Sequence, residues 1–445
     1  MKLTDYSLTD VGLKRDHNED FFHVNQEAQV YLVCDGMGGY AAGEVASKMC
    51  AESISEQVEA NQHIIEQFKE QPTVDSRELV RRMLIIAIQK SCKEVFDSGK
   101  SDPDKLGMGT TLVMALVIGN NAFIAHVGDS RAYLFRMDEV HQVTEDHSMV
   151  NELVQQGILT AEQAAKHPQA NLITRAIGHQ ETVQPDVLHM ELMEGDLFLL
   201  CSDGLCGYMK KAEFHRIAIS SQTAEMAEKL IALANGKGGK DNITAVIIQA
   251  GERDSAVKSD DSAAKKVATL KKIPLFKNFD YKEIIKILEV IEVSKYAAGK
   301  NIITEGQGGE EMFVILSGEV SVKKGEVQLI NLKSGNFFGE MSLIDKTPRS
   351  ATISAAKDTK LMVLARTPLF KLLKKEPRLA MKLFWSFLQN MNKRLRRNDQ
   401  ELLKLKDSKQ AVKKVVKEVP KTAPQKSSKE RDEPSYGTDL SFLDD

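Results

Sequence analysis

Between Leu8 and about Gly251 the chain alternates short apolar, β-branched runs with longer amphipathic stretches. Val30–Cys34, Thr111–Ile118, Ala122–Val127, Arg131–Phe135, Leu197–Leu200 and Ile243–Ile248 have the length and residue types of strands. Helical candidates occupy 41–69, 76–98 and 223–235. The alternation predicts a layered domain of mixed strands and helices, with functional residues at strand ends. Residues 252–267 are small, polar and charged without an aromatic, and read as a linker. Beyond them an amphipathic helix is expected around Tyr281–Ile291. Short strands follow, punctuated by glycines at 299, 306, 308, 309, 318, 325, 335 and 339, which predict an all-β barrel or jelly roll. A helical stretch from about Thr367 to Leu405 closes the pattern, with Pro368 in its first turn. The Lys-, Ser- and Pro-rich run 406–434 is expected to be disordered.

The expected division is therefore a catalytic-type domain over 1–251, a flexible linker over 252–268, a β-rich domain with flanking helices over 269–397, and a helix end with a basic tail over 398–445. The fold class is α+β. A length of 445 residues and an apolar fraction of 42% suffice for two packed cores. Five scattered cysteines, with no CxxC pair, read as core residues of a reducing compartment, and no window is apolar enough for a membrane span. A cytoplasmic protein is the expectation. The net charge of −3 hides an asymmetry: residues 1–250 carry 22 Lys+Arg against 36 Asp+Glu, leaving the remainder basic. An acidic front half suits a cation-binding enzyme.

Five clusters carry candidate chemistry: Arg15-Asp16-His17-Asn18-Glu19-Asp20, Asp35-Gly36-Met37-Gly38-Gly39, Gly128-Asp129-Ser130-Arg131, Ser202-Asp203-Gly204 and Gly239-Lys240-Asp241-Asn242. Any one Asp-Gly pair also suits a β-turn. Several carboxylates at strand ends with few offsetting cations are a different matter, because like charges cannot gather unless cations bind between them. All-oxygen ligands select hard ions, Mg2+ or Mn2+.

In this order, and with Gly107-Met108-Gly109-Thr110-Thr111, Asp146-His147-Ser148 and Leu200-Cys201-Ser202-Asp203-Gly204-Leu205, the clusters closely resemble the metal-dependent serine/threonine protein phosphatases of the PPM or type 2C family. The resemblance implies a β-sandwich flanked by helices and two metal ions, with a third bound more weakly. Asp35 would bridge the two metals, with the Gly36 carbonyl on one; Asp203 and Asp241 would hold the other. Glu19 and Asp20 would act mainly through metal-bound waters, Asp129 would serve the third ion, and Arg15 would grip the phosphate. A hydroxide held between the metals would attack phosphoserine or phosphothreonine of a protein substrate. Two positions depart from the family: Met37 stands where eukaryotic members carry a histidine acid, and Tyr40 where many bacterial members carry one. The leaving-group acid is unassigned, with a metal-bound water first and His17 second. The polar-helical segment Thr144–Gly178, with a new helix start at Thr160, matches the family's flap beside the site.

A second constellation runs from Phe338 through Gly339-Glu340-Met341-Ser342-Leu343 to Arg349-Ser350-Ala351-Thr352. Amides after Gly339 can face an anion and Arg349 can supply charge to the same phosphate, while Glu340 suits a ribose hydroxyl. With Pro274-Leu275-Phe276 and Met312–Val320, the cassette resembles that of cyclic-nucleotide-binding domains in kinase regulatory subunits and catabolite-activator-type proteins, over about 270–397. The resemblance implies a β-jelly roll binding cAMP or cGMP, and Ser350 after Arg349 favours cAMP. No helix-turn-helix pattern follows, so direct nucleic-acid binding is not expected. The tail, ending Asp439-Leu440-Ser441-Phe442-Leu443-Asp444-Asp445, reads as solubilising or as a peptide docking a partner. Taken together these features describe a phosphatase regulated by cyclic nucleotide; the alternative is a catalytically silent scaffold that senses the nucleotide and docks partners.

Overall fold

The structure, a computed structural model, describes residues 1–38, 42–251, 263–345 and 347–418. In chain order the first part comprises β1 (Leu3–Asp10), β2 (Asp20–Asn25), β3 (Val30–Met37), α1 (Ala42–Ala60), α2 (Gln62–Glu70) and α3 (Val74–Ser101). Then come β4 (Gly109–Thr110), β5 (Leu112–Ile118), β6 (Asn121–Val127), β7 (Arg131–Arg136), β8 (Glu139–Gln142), α4 (Met149–Gln155) and α5 (Ala161–Ala164). It ends with β9 (Asp186–Glu191), β10 (Leu197–Cys201), α6 (Asp203–Cys206), α7 (Lys211–Ser220), α8 (Thr223–Gly236) and β11 (Ile243–Ala250).

One antiparallel sheet has the order β1-β11-β10-β7-β8; the other runs β2-β3-β5-β6-β9, with β4 on β3. The sheets pack face to face, and each outer face is covered by helices. Along β5, Leu112, Met114, Leu116 and Ile118 point into a core shared with α1, α2 and α3. Along β10, Leu197, Leu199 and Cys201 point to α7 and α8. The alternate residues Val113, Phe198, Leu200, Val246 and Ile248 are buried too, on the faces turned to the opposite sheet. Burial on both faces explains why the central strands read as continuous apolar runs. All five cysteines are buried and free.

The C-terminal part begins with α9 (Ala263–Lys272) and α10 (Tyr281–Leu288). Helix α9 starts inside the stretch expected to be linker, because Ala263, Val267 and Leu270 recur at helical spacing and are buried; residues 252–262 lie outside the described residues. The strands β12 (Ile291–Tyr296), β13 (Asn301–Ile303), β14 (Glu311–Ser317), β15 (Glu319–Lys324), β16 (Val327–Lys333), β17 (Phe337–Phe338), β18 (Thr352–Ala355) and β19 (Thr359–Ala365) follow. They form two four-stranded sheets, β12-β19-β14-β17 and β13-β18-β15-β16, around Phe313, Ile315, Val320, Phe338, Ile353 and Leu361, as a jelly roll requires. The single helix expected from Thr367 to Leu405 is two, α11 (Arg366–Lys375) and α12 (Pro377–Glu418). Pro377 forces the break, since the residue before it, Glu376, leaves the helical region with φ −123° and ψ 74°. Among the described residues no helix is long and apolar enough to cross a membrane. The C-terminal peptide 439–445 lies outside them.

Candidate active site

Antiparallel order gathers the sequence-predicted acids at one end of the sandwich. Cys201, at the end of β10, pairs with Arg131 at the start of β7 and with Ala245 near the start of β11. Asp203 just after β10, Asp129 just before β7 and Asp241 just before β11 therefore share one end of the sheet. Asp20 opens β2 directly opposite Asp35 in β3, bringing two more carboxylates from the second sheet.

Close packing holds these residues in place. The Asp35 amide donates to Thr111 Oγ1 (3.1 Å), and its carbonyl accepts from the Thr111 amide (2.9 Å) and Thr110 Oγ1 (3.0 Å). At Gly36 a Cβ would lie 2.1 Å from the Gly43 carbonyl oxygen and 2.6 Å from that of Glu19, so only glycine fits. Gly43, at the start of α1, is similarly tight against the Glu19 carboxylate, to which its amide donates. The Glu19 amide donates to Asn242 Oδ1 (2.8 Å). Arg15 and His17, in the exposed loop between β1 and β2, differ: the guanidinium donates to Asp241 Oδ2 (2.8 Å), whereas His17 contributes its carbonyl to Asn242 (2.9 Å). Met37 is half-buried at the end of β3, and Tyr40 lies outside the described residues.

The electrostatics are those of buried, crowded acids. Burial holds the Asp35 carboxyl well above the usual range, with Asp20, Asp203 and Asp129 adding to the effect. Burial and then Asp241 raise Asp203, and burial raises Glu19. Asp20 is pushed up to about 7, by burial first. Asp129 rises to about 7 by burial and the nearby Asp203. Asp20 is the most telling. Its Oδ2 accepts from Ser202 Oγ (2.7 Å) and Thr244 Oγ1 (2.6 Å), yet its buried Oδ1 has no hydrogen-bond partner. An orphaned carboxylate oxygen costs desolvation energy unless something binds there. An all-oxygen donor set with one orphan fits hard divalent cations and the water they carry.

The sign of the pH effect follows. A carboxyl raised from 3.8 to about 7 holds its proton more tightly in the folded chain. Its contribution to stability is thus complete below the ordinary carboxylate range and is lost as pH climbs to about 7. The EDTA-treated protein is expected to melt several degrees lower at pH 8 than at pH 5, with Mn2+ at pH 8 restoring the loss. Equal melting temperatures in the metal-free protein would contradict the crowding of these acids.

In the jelly roll, Gly339 adopts φ +75° and Glu340–Leu343 form one 3-10 turn, leading past Arg349 to β18. Arg349 is buried, bonded to the Glu311 carbonyl (2.9 Å) and carboxylate (3.0 Å) and to Ser342 Oγ (2.8 Å). A Cβ on Gly309 would strike its guanidinium at 2.3 Å, so a larger residue there would displace the arginine. Glu340 is half-buried at the first position of the turn, and Ser350 is exposed. The supporting groups that sequence reasoning missed are Thr244 and Gly43 in the first site, and Glu311 and Gly309 in the second.

Comparison with known proteins bears on the family of each part of the chain. The family model for protein phosphatase 2C matches residues 4–243, and that for the cyclic nucleotide-binding domain matches 293–376. The chain is 38% identical over 245 residues to the serine/threonine phosphatase stp of Listeria innocua, covering 54% of this chain and 93% of the relative. It is also 38% identical over 252 residues to the protein phosphatase PhpP of Streptococcus pneumoniae, covering 56% and 98%. Among solved structures, the serine/threonine phosphatase of S. agalactiae superposes with a TM-score of 0.50 at 36% identity, over 56% of this chain and all of that one. The Mycobacterium tuberculosis serine/threonine phosphatase PstP/Ppp does so with 0.50 at 34%, over 56% and 99%. The chain belongs to the protein phosphatase 2C family, and its C-terminal half carries a cyclic nucleotide-binding domain.

Proposed function

We propose that this chain is a Mn2+- or Mg2+-dependent protein phosphatase, acting on phosphoserine and phosphothreonine in cytoplasmic proteins and regulated by a cyclic nucleotide, cAMP in preference to cGMP. The observation that carries the reading is the gathering of Asp20, Asp35, Asp129, Asp203 and Asp241 at one end of two sheets, with one Asp20 oxygen unsatisfied. Asp35 with the Gly36 carbonyl, Asp203 and Asp241 would hold two cations, with Glu19 and Asp20 acting through water and Asp129 serving a third. When bound, the cations supply a nucleophile at neutral pH and neutralise charge on the phosphoryl oxygens.

The chain's own residues do the rest. Ser202 and Thr244 hold Asp20 in one orientation, so its second oxygen is aimed before any ligand arrives. Arg15 leans on Asp241, and once Asp241 is engaged the guanidinium can clamp two phosphoryl oxygens, which a lysine could not match. In the second domain Gly339, Glu340, Arg349 and Ser350 would take the nucleotide's phosphate and ribose.

Hydrolysis of a phosphothreonine peptide in Mn2+, with and without EDTA and with cAMP or cGMP, tests the whole reading. It fails if no hydrolysis occurs with Mn2+, or if EDTA leaves the rate unchanged. Arg15→Ala is expected to lose about 2–4 kcal/mol of transition-state stabilisation while Mn2+ affinity stays the same by calorimetry. A collapse of Mn2+ affinity would make the arginine structural instead.

A further inference from the structure

Helix α10, the entry to the nucleotide-binding domain, is seated on the phosphatase sandwich. Tyr281 is buried: its hydroxyl accepts from Arg136, and its ring stacks on His141 at 4.0 Å and 19°. Arg136 is itself buried and paired with buried Asp196 (Nε to Oδ1, 2.7 Å). Lys282 Nζ lies 2.9 Å from Glu145 Oε2. Past the helix end, Glu289 Oε1 accepts from the His189 amide (2.8 Å) and its carbonyl from Arg77 (3.0 Å).

The Tyr281 and Lys282 contacts fall on the β7–β8 hairpin and the residues just after it, both of which lead back to Asp129, while those of Glu289 fall on β9 and α3. Strand β7 runs from Arg131, two residues after Asp129, to Arg136 under Tyr281. The segment Glu145-Asp146-His147 is bound to Lys282 on one side and to the Asp129 loop on the other. The carbonyl of Glu145 accepts from His126 Nε2 (2.8 Å), and Asp146 holds Arg131 through Nε (2.9 Å) and Nη2 (2.6 Å). The His147 amide donates to the Gly128 carbonyl (2.9 Å), and the Gly128 amide donates to His147 Nδ1 (3.2 Å). Meanwhile the opposite end of the nucleotide-binding domain also reaches α10: Glu283 pairs with Lys382 (2.7 Å), and Lys286 pairs with Glu376.

We infer that α10 is the positioning element between the two sites: through Tyr281 and Lys282 it holds the Glu145–His147 segment and the Asp129 loop in place, and nucleotide acts on catalysis by shifting this helix. The second half rests on the proposed cyclic-nucleotide regulation; the first half does not. A chain of paired and stacked groups with one helix gripped from both sides is the kind of connection through which two sites can be coupled. Coupling of this sort requires that the ligand favour one of two arrangements, and α10 is the part whose displacement both sites would feel.

The test uses the full-length protein and hydrogen exchange, with the Gly128 and His147 amides as reporters and β5 as an internal reference. Without nucleotide, Lys282→Ala and Tyr281→Phe are each expected to speed exchange of both amides about three- to tenfold and leave β5 unchanged. Wild-type exchange at those amides in both variants overturns the inference. With saturating cAMP, calorimetry is expected to give equal affinity for wild type and Lys282→Ala, while the nucleotide's effect on phosphothreonine-peptide turnover shrinks in the variant. An undiminished effect in Lys282→Ala overturns the route through α10 and leaves regulation standing. If cAMP and cGMP bind yet wild-type turnover never changes, regulation fails, and loosened reporter amides still uphold the positioning role.

Discussion

Replacing Asp35 by alanine is expected to lower turnover of a phosphothreonine peptide in Mn2+ by about 10³-fold or more, because on the proposed reading the carboxylate that would hold both cations is gone. Nothing in the packing argues that the fold would suffer. The carboxyl is held far above its ordinary range by burial and by Asp20, Asp203 and Asp129, so its ionisation opposes folding in the metal-free state. EDTA-treated Asp35→Ala should therefore melt above EDTA-treated wild type at pH 8, and Mn2+ should stabilise the variant less. Loss of turnover combined with a raised metal-free melting temperature separates a functional acid from a structural one. Near-wild-type turnover by Asp35→Ala would sink the assignment of this end of the sandwich as the catalytic centre.

Arg349→Ala is expected to weaken cAMP binding by about 10²-fold or more, the loss of charge-assisted bonds to a phosphate. The same change leaves Ser342 and Glu311 without their shared partner, so the jelly roll should also lose stability. Arg349→Lys keeps the charge but not the planar fork that reaches both of these groups, and should fall between wild type and alanine. Calorimetry with cAMP and cGMP measures the affinity, and hydrolysis without nucleotide checks that the first site survives. Wild-type affinity for both nucleotides in Arg349→Ala would remove the cassette from consideration as their site.

Much of this architecture is legible in the chain because burial on both faces leaves a plain trace. Central strands β3, β5, β6, β7, β10 and β11 appear as unbroken apolar runs. Strands β1, β2, β8 and β9 leave no such trace, being edge strands or short ones whose half-exposed positions mix Asp, Thr, Ser, His and Gln with the apolar residues. Asp35, Asp129 and Asp203 are legible as acids beside a glycine at strand ends, and Glu19, Asp20 and Asp241 as acids in short polar clusters. What holds them is not. Asp20 is fixed by hydroxyls 182 and 224 residues away, a pairing decided by sheet order and not by local pattern. Likewise Arg349 meets Glu311 across 38 residues, and Tyr281 meets Arg136 across 145. The helical start at Ala263 was masked because a run of Ala and Lys looks alike in a linker and in a helix, and only the burial of Val267 and Leu270 separates the two.

That the acids come from both sheets has a consequence for how the protein behaves as a chemical system. At this end the sandwich gathers charge that must be neutralised, so on the proposed reading free divalent cation contributes to the stability of the folded state. Mass action then sets its weight: above the dissociation constant, each tenfold rise in free Mn2+ or Mg2+ adds about 1.4 kcal/mol to the stability of the bound form. The resistance of the folded chain to unfolding, not the occupancy of an already filled site, would then follow the surrounding cation concentration on a logarithmic scale, a dial separate from the nucleotide and wired into the same fold.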